Sequence, residues 1–314
     1  MITRDKMEML NRSHVADFLL LGISDAPELR VPLFLVFLSM YLLTLLGNLT
    51  IISVICLSPP LHNPMYFFIC NLSVLDISYS TVTQPSLLAM LLEGHSTISF
   101  SNCMSQLYVF MSLACTEFVS LTAMSYDRYV AICKPLHYPV KMSRINCLLL
   151  GALCWVVGFL DPLAHTLVIA KLPFCRSRII NHFYCDLSTL LNLSCADKLL
   201  IEIMTYVVGS VVALPAFALT LSSYVFIITS VLQINSTAGR HKAFSTCASH
   251  LCVVILFYGT VLIMHMRPSS QYLLVQDKPL SVLYTAVIPM LNPLIYSLRN
   301  KDVKKSFKKI MDFK

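Results

Sequence analysis

VPLFLVFLSMYLLTLLGNLTIISVICL, residues 31–57, runs without one charged side chain. As a helix it rises about 40 Å, more than the roughly 30 Å of hydrocarbon in a bilayer. In lipid, backbone groups find partners only within a helix or a closed barrel. A barrel strand alternates polar and apolar residues over about ten positions, and this run does not alternate. It predicts a membrane-spanning helix.

The pattern recurs. Runs of this kind occupy approximately 31–57, 64–91, 100–133, 145–169, 199–233, 241–266 and 274–298. The chain of 314 residues is 57% hydrophobic and only 12% charged, with a mean hydropathy of +0.73. Length alone would suggest about two soluble domains, but too little polar surface is available to cover them. The expectation is an all-α membrane protein, a seven-transmembrane helix bundle. Residues 1–30 form an extracellular tail, 31–298 the bundle, and 299–314 a short amphipathic cytoplasmic helix and tail. Residues 1–18 carry no apolar signal-peptide core, so the first span serves as an uncleaved signal anchor.

Basic residues set the orientation. With the N-terminus outside, the cytoplasmic side holds thirteen Lys/Arg against three acids, and the outer side ten of each. That asymmetry predicts a multi-pass protein with its N-terminus outside and its C-terminus in the cytoplasm; the expected location is the plasma membrane. It also explains the net charge of +7 without nucleic acid. Asn11-Arg12-Ser13 is a glycosylation sequon in the outer tail. Those at Asn48 and Asn71 fall within spans, and that at Asn235 falls inside the cell. Asn192 is outside but close to the membrane.

Of twelve cysteines, Cys103, Cys175, Cys185 and Cys195 fall at the oxidising outer face. Four cysteines allow three pairings, and spacing does not choose among them. A bridge from Cys103 to the loop would pin that loop over the mouth of the bundle. His182-Phe183-Tyr184-Cys185-Asp186 offers copper or zinc ligands, but a disulfide at Cys185 would consume one of them.

AMSYDRYVAIC, residues 123–133, sets an acid beside an arginine at the cytoplasmic end of the third span. Charges in lipid cost about 2.5–3.5 kcal/mol each; these two lower the cost by pairing near water. On residues alone, this is either a fixed ion pair or a switch. The text around it is specific: PMYFFICNLS (64–73), MSYDRYVAICKPLHYP (124–139), KAFSTCASH (242–250) and PMLNPLIYSLRNKDV (289–303), with FLLLGIS (18–24) and Gly47-Asn48. Together, in this order and over nearly the whole chain, they resemble the vertebrate olfactory receptors, within the rhodopsin-like G-protein-coupled receptors. Ser125, Ala248 and Ser86 depart from the family's usual Ala, Ser and Lys; none of the three touches the signalling motifs.

The resemblance implies roles. Arg128 pairs with Asp127 at rest, beside Tyr129, and on activation extends towards Tyr224 and Tyr296. Asn292-Pro293 kinks the seventh helix, which gives it two packings. Asp76 and Glu117 lie on facing helices, where two carboxylates cannot both ionise cheaply. They share a proton or hold Na⁺, helped by Asn48, a serine or Asn292; no other cofactor is implied. Lys304, Lys305, Lys308 and Lys309 lie on a helix suited to anionic lipid headgroups. Lys134, Leu136, His137, Lys141, Arg240 and Lys242 face the G protein.

Counting from the motifs, the family's ligand positions fall on Phe110, Met111, Ala114 and Cys115 in the third span. The fifth gives Val208 and Val212, the sixth Tyr258, Val261, Leu262 and His265, and the seventh Thr285. Tyr258 is the toggle under the pocket and His265 its polar candidate. Asp161 in the fourth span attracts an amine, is protonated, or turns to a neighbouring helix. The implied function is an odorant receptor: a small volatile ligand in the outer half of the bundle activates a stimulatory, olfactory-type heterotrimeric G protein and raises cAMP. A transporter would show internal repeats and an intramembrane enzyme an aligned nucleophile and base; neither pattern is found.

Overall fold

The computed structural model describes residues 17–24, 26–174, 177–196, 198–265 and 274–312. The helices are α1 (Arg30–Leu57), α2 (Pro64–Glu93), α3 (Phe100–Cys133), α4 (Arg144–Ala170), α5 (Lys198–Leu232) and α6 (Thr237–His265). α7 has three parts: Leu274–Val282, a π-helical turn Leu283–Val287, and Ile288–Arg299. α8 (Lys301–Asp312) follows as the expected tail helix. Helices α1 to α5 and the α7 region 278–297 are long and apolar enough to cross a membrane, while α6 carries the shorter apolar stretch Cys247–Val261. The fold is a seven-helix membrane bundle. Its boundaries match expectation to a few residues, with two corrections. α6 begins at Thr237 rather than 241, and the seventh span is not one regular helix; residue 266 lies outside the described residues.

Local chemistry explains the helix ends. Asn63 caps α2 by accepting from Tyr66 N at 3.4 Å, with Pro64 in the first turn. Ser99 caps α3 and Ser143 caps α4 in the same way, at 3.3 and 3.4 Å. Gly94 ends α2 at φ 86, where its N–H reaches Met90 O.

The break in α7 follows from its prolines. Pro289 has no N–H, and its ring would collide with the carbonyl of Thr285 in a regular helix. Instead Ile288 N donates to Leu283 O, the i→i+5 bond of a π turn. Pro293 likewise leaves Pro289 O without its helical donor. Asn48 Nδ2 from α1 supplies one at 3.2 Å. The two helices come that close because Gly47 has no side chain: a Cβ there would lie 3.0 Å from Pro293 Cγ. Gly158 does the same for α4 against Thr116 of α3, where a Cβ would overlap Oγ1.

Large apolar side chains stand outward along α1, among them Val31, Leu35, Leu43 and Leu46, as a helix facing lipid requires. One end of the bundle is closed by a three-stranded sheet that the sequence did not announce. β1 (Asp17–Leu20) lies between β2 (Ser96–Ser99), antiparallel, and β3 (Ile179–Ile180), parallel. It joins the segment before α1, the α2–α3 connection and the α4–α5 connection into one cover. The opposite end carries Asp127-Arg128 and α8.

Candidate functional site

At that opposite end, Arg128 Nε donates to Asp127 Oδ2 at 2.9 Å, and Nη2 reaches the same oxygen. Asp127 is 1% exposed and Arg128 8%. Tyr138, in the α3–α4 connection, donates to Asp127 Oδ1 at 2.9 Å. Burial, and then the Asp127 carboxylate, push the Tyr138 hydroxyl above its usual range, so it stays a donor. Tyr129 packs its ring 5.8 Å from that of Phe226, and Lys134 Nζ lies over the Tyr129 ring, 5.6 Å from its centroid. Tyr224 and His250 Nδ1 share a hydrogen bond of 2.5 Å that ties α5 to α6. The Tyr296 hydroxyl is buried without a hydrogen-bond partner among the described residues. Tyr138 and His250 were missed, although KPLHYP and KAFSTCASH contain them; a tyrosine in a short connection carries no pattern that points to a partner eleven residues back.

Midway along the bundle, Asn292 Nδ2 donates to both oxygens of Asp76, at 2.9 and 3.2 Å. Glu117 lies within Coulombic range of Asp76. Among the described residues, the oxygens Glu117 Oε1, Asn292 Oδ1, Asn48 Oδ1 and Ser80 Oγ are buried without hydrogen-bond partners. Asn48 and Asn292 thus each spend their amide nitrogen on a carbonyl or carboxylate and hold an oxygen in reserve. The asparagines of two sequons are committed inside the fold: Asn48 is wholly buried, and Asn71 bonds Phe67 O and Trp155 Nε1.

Towards the sheet end, Phe110 sits in a cluster with Tyr79, Tyr184 and Tyr284, ring centroids 4.7, 4.8 and 5.7 Å away. Met111 and Ala114 pack beside it. Cys115 Sγ lies 4.0 Å from Asp161 Oδ2, so the acid of α4 turns to its neighbouring helix. Tyr258 is buried beneath, its hydroxyl 3.0 Å from Thr122 Oγ1 and 3.2 Å from Thr220 Oγ1 and Phe118 O. Val212 and Val261 are half-buried on α5 and α6. Thr285 is fully buried, and its Oγ1 donates to Ser281 O at 2.7 Å. The side chains of Val208, Leu262, His265 and Lys242, together with Asn11 and Cys175, lie outside the described residues.

The α4–α5 connection grips this end. Cys103 and Cys185 form a disulfide, and Gln106 Oε1 accepts from Cys185 N at 3.0 Å. Cys195 is also disulfide-bonded. In 182–186 the disulfide consumes Cys185, Asp186 caps the loop helix Leu187–Leu193, and His182 Nε2 meets Ser281 Oγ at 3.2 Å, as a structural loop with a bridged cysteine requires. Tyr184 bonds Tyr284, and Lys278 Nζ donates to Asn181 Oδ1 at 2.8 Å. Residues 181, 182 and 184 therefore hold α7 at 278, 281 and 284, one face just before and into the π turn.

Burial pushes the His182 imidazole down to about 4 from 6.5; Lys278 adds to this and Asp186 opposes it. Unfolded, the ring takes a proton near pH 6.5, and folded only near 4, so the unfolded chain binds more protons between them. The loop's grip is complete above pH 6.5 and is lost as the pH falls towards 4, by roughly 3 kcal/mol in all. Protease protection of residues 177–196 should fall across that window. In His182→Gln the slope should vanish, and a slope of the parent's size in that variant would assign the effect to another group.

A seven-helix bundle with a buried Asp-Arg pair at one end and a disulfide-pinned loop at the other defines a receptor of the G-protein-coupled class. A family profile described as Olfactory receptor matches residues 37–314. Olfactory receptor 8D1 of Homo sapiens is 48% identical over 306 residues, 97% of this chain and 99% of that one. Olfactory receptor 5AR1 of Mus musculus is 47% identical over 305 residues, 97% of this chain and 98% of that one. The chain belongs to the olfactory receptor family. It is a multi-pass membrane protein, an odorant-sensing receptor that couples to G proteins, and its relatives are receptors, not enzymes.

Proposed function

We propose that this receptor stands in the plasma membrane with its sheet end outside and α8 on the cytoplasmic side. A small, largely apolar volatile binds in the outer half, between the Phe110 cluster and Tyr258, and activates a stimulatory G protein of the olfactory type to raise cAMP. The observation that carries the reading is the buried Asp127–Arg128 pair, together with the buried Tyr224–His250 bond and a Tyr296 hydroxyl buried without a hydrogen-bond partner among the described residues. A buried guanidinium is costly without partners. Exchanging Asp127 for the two tyrosines gives it a second arrangement, and with it α5, α6 and α7. A ligand shifts that balance by its difference in affinity for the two states. The charge asymmetry supports the orientation. Cells expressing the chain are tested against a panel of volatiles with a cAMP reporter. A saturable rise with at least one compound, absent without the stimulatory subunit, is expected. A response that survives deletion of that subunit overturns the coupling.

The polar centre fits a monovalent cation. Asp76, Glu117, Asn292 Oδ1, Asn48 Oδ1 and Ser80 would hold Na⁺, and a single shared proton would satisfy only one of their free oxygens. The ion would cancel the charge of one of the two acids and favour the resting packing. Replacing sodium by choline should raise agonist-free signalling in the parent and leave Asp76→Asn unchanged. An equal response in both returns the site to a shared proton.

A further inference from the structure

At the α8 end, α5 and α6 part to leave a cavity of about 370 Å³, within the size range of small-ligand sites. Ile227, Val231, Cys247 and Leu251 line it. Ile228 and Leu232 belong to the same wall and are 47% and 63% exposed, so it opens sideways onto the surface that lipid covers. Arg240 and His241 complete the lining from the first turns of α6, both exposed. Arg240 Nη2 also donates to Ile234 O at 3.4 Å, which sets the guanidinium across the α5–α6 turn. The rest of the fork keeps further donors.

Such a wall offers water too few polar partners to stay. It offers hydrocarbon a slot continuous with the bilayer, ending in two basic groups at the depth where both helices end. We propose that the α5–α6 cleft binds an anionic phospholipid, with one acyl chain in the cavity and the headgroup phosphate held by Arg240 and His241. The sideways opening favours a lipid over a peptide, which would have to leave the bilayer surface to reach Ile228. Tyr224 lines the same cavity. The lipid therefore shares a wall with the bond that ties α5 to α6, and biases their separation.

The full chain is reconstituted in phosphatidylcholine vesicles doped with phosphatidylserine or phosphatidylcholine carrying a photoreactive acyl chain, and the adducts are mapped. Phosphatidylserine should label peptides within 224–251 at least about fivefold more than phosphatidylcholine, the factor expected for the one arginine. Labelling of the lipid-facing side of α1 should not discriminate. Arg240→Gln with His241→Gln should bring the cleft's ratio to that of α1, and raised salt should shrink it. Leu251→Phe, which fills the slot, should cut labelling by both lipids. Equal labelling by the two lipids in the parent, or an undiminished ratio in the double variant, overturns the proposal. A cleft that neither lipid labels but that purified G protein shields from thiol reagents at Cys247 is that partner's surface and overturns it equally.

Discussion

Arg128→Ala is expected to reach the membrane in near-normal amount and to give no odorant-dependent rise in cAMP. In the folded chain the guanidinium neutralises Asp127, which is 1% exposed. Removing one partner of a buried pair costs about 3–5 kcal/mol in a dry core; at a helix end, with the Tyr138 hydroxyl still on Oδ1, the cost is smaller. Expression therefore survives while the second arrangement, which needs the arginine to reach Tyr224 and Tyr296, does not form. Asp127→Asn should move the other way and raise the agonist-free signal, because the resting partner is weakened and the moving one kept. Surface staining and a cAMP reporter in the same cells separate folding from signalling. An undiminished response from Arg128→Ala would remove the latch from the mechanism and leave the pair as an anchor.

Cys185→Ser should fail earlier, with surface display falling severalfold and little response from what arrives. The disulfide closes 82 residues, from the start of α3 to the loop over the bundle. Chain entropy alone values that closure at about 4–5 kcal/mol for a free chain, less where a membrane already confines the ends. Four further contacts depend on the same anchorage: Gln106 Oε1 on Cys185 N, and the three bonds from residues 181, 182 and 184 to α7. Cys103→Ser with Cys185→Ser should be no worse than either alone, since one bond is lost in each case. Surface immunostaining with a thermal unfolding midpoint measures both. A single variant that displays and responds like the parent would show that the polar contacts hold the loop unaided.

Much of this was readable beforehand, for identifiable reasons. Runs without charge, such as 31–57, mark membrane spans because lipid penalises every exception. Asp127, Arg128 and Asn292 stood out because polar residues are rare where they lie. The cover strands did not stand out: Asp17–Leu20 and Ile179–Ile180 are short, and their pairing joins segments far apart in the chain. The helix-7 break was legible in part. Pro293 announced a kink, but Pro289 was read only as the first letter of a motif, though its missing N–H places the π turn. Asn48 as donor to Pro289 O required knowing which carbonyl a proline had orphaned. The cage of Tyr79, Tyr184 and Tyr284 around Phe110 combines α2, a loop and α7, and no single window of sequence contains it.

The π turn also changes how positions in this helix should be compared. Each i→i+5 closure inserts one residue beyond the regular count. That addition rotates everything before Leu283 by about 100° relative to a wheel drawn upward from Asn292. Helical wheels for Lys278 and Ser281 must therefore be reckoned from the loop contacts above. Mutational scans that number downward from them and upward from Asn292 will disagree by one step where they meet, at Thr285.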